Sequence, residues 1–182
     1  MTTFINFIAL QVIWFVAVIG ASNNTIWPAC ILVILFAIWQ LSPKHRHPDD
    51  FKFIAFALII GFVLDSVWQM LGYIRFSAPF PGADMVAPVW ILLLWVAFAM
   101  TFNHSLAWLK KRPILSLFFG FIGAPLSYFA GVKLGALTYP NGAIQISIMI
   151  GTAWAFVTYF FAQYHTFFNP VKSYGHIQEP KS

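Results

Sequence analysis

Apolar residues fall in six long stretches separated by short polar breaks, and each stretch approaches the length of a bilayer-spanning helix. They cover residues 3–20, 26–41, 53–73, 88–107, 114–137 and 143–164. A hydrocarbon core of about 30 Å needs about 20 helical residues. The second stretch is short and calls for local thinning or for the Trp27 and Trp39 rings as anchors. The first has no Lys or Arg before it and no small-residue cleavage pattern after it, so it reads as a retained helix. Trp27-Pro28 and Pro88 place prolines near helix starts, where the missing N–H is harmless. Asn23-Asn24 and Pro140-Asn141-Gly142 read as turns. The pattern therefore predicts an all-α membrane protein, a six-transmembrane-helix bundle formed as one domain over residues 1–168. The polar segment 169–182 is expected to be a disordered tail. The long break at 74–87, with Pro79, Pro81 and Gly82, is expected to fold back as a partial lid.

Composition changes the picture only by hardening it. The chain is 60% hydrophobic and 8% charged, against about 25% charged residues in a soluble domain. The lone Cys30 lies in an apolar stretch and supports neither a disulfide framework nor a thiolate metal site. The net charge of +5 does not point to nucleic acid, because the cations cluster in short breaks. Lys44, Arg46 and Lys52 fill one, Lys110, Lys111 and Arg112 another, and Lys172 and Lys181 lie in the tail. Threading six helices in order puts these on one side, leaving Arg75 and Lys133 near the other. The positive-inside rule then makes the protein multi-pass with both termini cytoplasmic.

Polar residues inside the apolar stretches are the candidates for chemistry. Asp65 has no compensating charge in its own stretch, and a lone carboxylate at membrane depth costs about 2.5–3.5 kcal/mol even on insertion scales. Gly61, Asp65 and Gln69 share one helical face. Lys133 is the expected counter-ion, reaching back along its helix; snorkelling to headgroups is the simpler use of such a lysine. Asn103 and His104 fall near the inner boundary, where His104 is a candidate proton-transfer group or an interfacial hydrogen-bonder. Asp65 and His104 are the catalytic candidates. The polar intramembrane site is drawn from Asp65, Gln69, Asn103, His104, Tyr128 and Lys133.

The fifth stretch carries two ridges of small residues, Ser116, Gly120, Ala124 and Gly123, Ser127, Gly131, Gly135. Such ridges let backbones approach closely and offer a face for a homodimer. Pro125 between them frees the Phe121 carbonyl. The 42–52 break holds His45, His47, Asp49 and Asp50, without a familiar metal spacing. No nucleotide-binding loop or nucleophile elbow occurs, so no metal or cofactor is expected.

Several stretches resemble a family of small bacterial inner-membrane proteins catalogued only as a domain of unknown function. They are Gly61-Phe62-Val63-Leu64-Asp65-Ser66, Pro88-Val89-Trp90 with Leu94-Trp95, Asn103-His104-Ser105-Leu106-Ala107-Trp108-Leu109, Gly123-Ala124-Pro125-Leu126-Ser127-Tyr128 and Gly131-Val132-Lys133-Leu134-Gly135-Ala136-Leu137. The family often has Arg at the position of Lys133, so this chain keeps the charge and loses bidentate pairing. Family members are often encoded near cyclopropane-fatty-acid-synthase-like enzymes, which implies a place in membrane-lipid chemistry, with lipid-modifying enzymes as partners. Three functions remain in view: transport or flipping of a small solute or lipid, a lipid-modifying enzyme or its accessory subunit, and a scaffold with no small-molecule site.

Overall fold

The protein, seen in a computed structural model that describes residues 2–168, is built from six α-helices among those residues. They are α1 (Thr2–Ser22), α2 (Trp27–Gln40), α3 (Asp50–Met70), α4 (Val89–Phe102), α5 (Pro113–Lys133) and α6 (Ala143–Phe168). A 3₁₀ turn, Ala107–Lys111, joins α4 to α5. The expected disordered tail lies outside the described residues. Successive helices alternate in direction, so the start of α1, the end of α2, the start of α3 and the end of α4 meet at one end. That end also carries most of the described Lys and Arg residues and is called the basic end below.

Helices α1, α3, α5 and α6 are long and apolar enough to cross a membrane. Helices α2 and α4 have 14 residues each, about 21 Å of rise against a core of about 30 Å. The outward faces suit lipid. Ile31, Ile34 and Ile38 of α2, Ile59 and Val63 of α3, and Phe118 and Ile122 of α5 are all exposed. Apolar surface this continuous marks a surface that is covered in its working environment.

Helix α4 is apolar on every side, and such a helix is buried. It sits at the centre against α1, α2 and α3, with Trp90, Trp95, Ala97, Ala99, Met100 and Phe102 buried. Its apolar run predicts a helix to residue 107, yet the helix stops at Phe102. There the Thr101 carbonyl accepts from the backbone N–H of both His104 and Leu106, each at 3.0 Å, and Asn103 turns its amide to Asp50. Helix α5 likewise ends at Lys133, short of the predicted 137. Gly135 takes φ 80°, in the left-handed region that glycine adopts without strain.

The chain then enters β2 (Leu137–Thr138), which pairs antiparallel with β1 (Arg75–Phe76), Arg75 opposite Thr138. The 74–87 segment folds back on the bundle as its prolines predict. The Ala87 N–H donates to Ser66 Oγ at 2.9 Å and Trp90 Nε1 to the Ser77 carbonyl at 2.9 Å.

Helices α5 and α6 form a tight pair. Gly120 abuts the Trp154 carbonyl and Thr158, and Gly151 abuts the Phe121 carbonyl and the Pro125 ring. The Ser116–Gly120–Ala124 ridge is thus spent inside the chain, and the carbonyl freed by Pro125 faces α6. Aromatic contacts tie this pair to α4 and α3: Trp154 stacks on Trp95 with ring centroids 4.3 Å apart, and Phe161 meets Phe53 edge-on at 5.2 Å.

Candidate functional site

Because α5 binds α6 so closely, a lateral groove is left between α5 and helices α1 and α4. Its volume is about 500 Å³, within the roughly 300–1,000 Å³ of small-molecule sites. Helix α1 contributes one stripe at helical spacing: Phe7, Gln11, Trp14 and Val18. Helix α4 contributes Trp90, Leu94, Trp95 and Phe98, and α5 contributes Gly123, Ser127 and Gly131. The second small-residue ridge therefore makes room for the groove instead of packing on a neighbouring helix; a Cβ at Gly123 would meet nothing within 4 Å. Trp14 Nε1 donates to Ser127 Oγ across the groove at 2.8 Å. Phe7, Phe15 and Trp108 on its rim are exposed, so it opens sideways. None of its lining residues carries a charge.

Asp65 lies directly behind this groove and is fully buried. Trp95 Nε1 donates to its Oδ2 at 2.7 Å, and the Tyr128 hydroxyl donates to its Oδ1 at 2.6 Å. Both donors line the groove, so one carboxylate fixes two walls belonging to different helices. Gly61, one turn before Asp65, has no room for a side chain because a Cβ would run into the Trp95 indole. The Gly61–Asp65 face predicted from spacing is real, and its purpose is to seat and hold Trp95.

The expected ion pair with Lys133 does not form. Lys133 Nζ sits 5.2 Å from the centre of the Phe129 ring, and Asp65 is satisfied by neutral donors. Gln69 also serves elsewhere. Its amide donates to the Asp84 carbonyl at 2.6 Å and accepts from the Phe76 N–H at 3.0 Å, pinning the folded-back segment. Of the six predicted site residues, the structure joins Asp65 with Tyr128 and Asn103 with His104, and it separates the two pairs.

Asn103 and His104 belong to a second polar cluster at the basic end, organised around Asp50. Asn103 Nδ2 donates to Asp50 Oδ1 at 2.7 Å, the His47 N–H donates to Oδ2 at 2.8 Å, and His104 Nε2 lies 2.9 Å from Oδ2. The same His104 nitrogen is 3.0 Å from Gln40 Nε2. Gln40 Oε1 accepts from Asn6 Nδ2 at 2.6 Å, and Asn6 Oδ1 accepts from the Ser105 hydroxyl at 2.7 Å. Asn6, Gln40 and Asp50 are fully buried. Lys110 donates to Asn103 Oδ1; burial pulls its ammonium below the ordinary lysine value, with Asp49 and Asp50 opposing. Among the described residues no three of His, Cys, Asp and Glu converge on a metal-sized space.

Sequence reasoning missed Asn6, Gln11, Gln40 and Trp95 as contributors, and it weighed Asp50 only as a possible metal ligand. Asn6 and Gln11 did carry a signal, since they are the two amides in the otherwise apolar run 3–20. Trp95 carried none, because nothing in a sequence distinguishes an indole that binds a carboxylate from one that packs.

The molecule is thus an all-α protein with membrane-length apolar helices, built around a lateral groove that is backed by a buried carboxylate. It belongs to the family described as Protein of unknown function (DUF2878), whose sequence model matches residues 3–160. No curated protein and no solved structure matches the chain.

Proposed function

We propose that this chain is a multi-pass protein of the bacterial inner membrane, with six membrane-embedded helices and its basic end in the cytoplasm. In this reading it takes a hydrocarbon chain from the bilayer into the groove between α1, α4 and α5. The observation that carries the reading is the groove itself: about 500 Å³, aromatic-walled, uncharged and open at an exposed apolar rim. Sites of this size and lining bind apolar molecules. A charged solute finds no charged side chain along the groove, so a lipid is the better cargo than a small polar one. Asp65 acts as a positioning residue that holds Trp95 and Tyr128 in the walls.

The test is native mass spectrometry of the protein extracted with a mild detergent. Wild type is expected to carry lipid, and Gly123→Phe to lose it. Position 123 offers open space, so the variant fills the groove without forcing the backbone. Equal lipid in both proteins would refute the reading.

One observation favours a lipid-modifying role beside simple binding. His104 is held by Asp50 at 2.9 Å, and a carboxylate-oriented imidazole is suited to moving protons. That role requires His104→Gln to change the membrane lipid profile while the folded protein persists.

A further inference from the structure

Two polar groups on residues that line the groove have no hydrogen-bond partner among the described residues: the buried Trp154 indole N–H, a donor only, and the Gln11 amide, which can both donate and accept. The lining hydroxyls are all engaged: Ser105 with Asn6, Ser127 with Trp14, Tyr128 with Asp65, and Thr158 with the Ser116 carbonyl at 2.7 Å. The Gln11 amide lines the same groove, yet among the described residues it has no hydrogen-bond partner. It is half-buried and nine residues along α1 from Thr2, about 14 Å of rise, near the middle of a core of about 30 Å. Water is scarce at that depth, and an amide left unsatisfied in hydrocarbon costs several kcal/mol.

We infer that Gln11 is the specificity element of the groove, and that the ligand is a neutral lipid chain bearing an uncharged oxygen, a hydroxyl or carbonyl, partway along its length. This rests on the proposal that the groove takes a lipid chain and adds which chain it takes. Neutrality follows from the uncharged lining, since a buried charge without a partner is disfavoured. The oxygen follows from the amide, whose N–H₂ and C=O can serve an acceptor, a donor or both at once. Its position follows from α1. Ser105, at the basic-end mouth, is bonded to Asn6, and Gln11 lies five residues deeper, about 7.5 Å along the helix. A chain anchored by its polar end at the mouth therefore presents a mid-chain group to Gln11, and a plain chain leaves the amide bare.

The test uses the full chain in phosphatidylcholine nanodiscs. A brominated hexadecanol quenches the groove tryptophans, and competitors displace it: hexadecanol itself, then a series carrying a second hydroxyl at successive carbons. Wild type is expected to prefer one mid-chain isomer over hexadecanol by about 3–10-fold, the size of one neutral hydrogen bond. Gln11→Met, which keeps length and volume, is expected to bind both alike, with hexadecanol affinity retained. Equal affinity across the series in wild type overturns the assignment, as does a preference that survives Gln11→Met. Absence of quenching by any chain would instead remove the groove reading on which the inference stands. Repeating the preferred isomer as an acyl chain of phosphatidylcholine separates the two sources: displacement by that lipid assigns a glycerolipid ligand, and displacement by the free alcohol alone assigns a single-chain one.

Discussion

Helix α3 carries two fully buried carboxylates, Asp50 and Asp65, and the protein satisfies them in opposite ways. Asp65 lies deep in the bundle and meets two donors on long aromatic side chains, one from α4 and one from α5. Asp50 opens the helix at the basic end and is met by Asn103, His104 and a backbone N–H, beside a second set of bonds in which Asn6 joins Gln40 to Ser105. The first is an isolated joint between two walls of a groove. The second is a cluster where α1, α2, α3 and α4 meet, at a boundary where water is near. Burial alone is therefore a poor guide to what an acidic residue does. The number of its donors, and whether water can replace them, decide how the protein depends on it.

The contrast breaks most sharply under truncation. Asp65→Ala orphans the Trp95 N–H and the Tyr128 hydroxyl where no water can reach them. At about 1–3 kcal/mol for each unsatisfied group, the expected loss is about 2–6 kcal/mol, read from unfolding in mixed micelles. Asp50→Ala orphans three donors, but His104 retains some exposure and the cluster lies at the basic end, where water can enter. A smaller loss of about 1–3 kcal/mol is expected. Asp65→Asn should nearly restore stability: Oδ1 can accept from Trp95 while the amide donates to the Tyr128 oxygen. A larger loss at Asp50 than at Asp65 would reverse the comparison.

Glycine substitutions sharpen it next. Gly61→Ala drives a Cβ into the Trp95 indole and should cost about 1–3 kcal/mol by overpacking, with Trp95 pushed off Asp65. Gly120→Ala meets the Trp154 backbone and should cost a similar amount. Gly123→Ala meets nothing and faces the groove, so it should stabilise α5 by about 0.5–1 kcal/mol through helix propensity. Thermal melts of the three variants decide the matter. A destabilised Gly123→Ala would mean that the second ridge is packed and the groove is closed.

Much of the architecture was legible because hydrocarbon burial is written in long apolar runs. All six helices fall where those runs predict. The misreadings fall at helix ends, where hydropathy is silent. Residues 103–107 look helical by composition, but Asp50 and the Thr101 carbonyl take the groups that would continue α4. Asp65 stood out as a costly residue, and its helical face was correctly read from the spacing of Gly61 and Gln69. Its partners were not legible, since charge arithmetic proposed Lys133 whereas the fold supplied an indole and a phenol. The groove was invisible for a related reason. It is the space left when one small-residue ridge packs and the other does not, and a sequence cannot say which ridge is used.

The smallest expected effect tests that correction. If Lys133 serves only its own helix end, Lys133→Gln removes no more than the contact with the Phe129 ring, worth about 0.5–1 kcal/mol at an exposed site. Lys133 is exposed, where flexibility and headgroup contacts lower that figure further. The informative measurement is the double-mutant cycle with Asp65→Asn. Sites that share no partner add within about 0.3–0.5 kcal/mol, and an isosteric, neutral replacement of the carboxylate removes charge with little change of shape. The expected coupling is therefore within that noise, in mixed micelles and in nanodiscs alike. A coupling above about 1 kcal/mol would mean that the charges interact after all. Asp65 would then owe its place in the interior to a cation instead of to Trp95 and Tyr128, and a charged path from α3 to the end of α5 would have to be added to the groove.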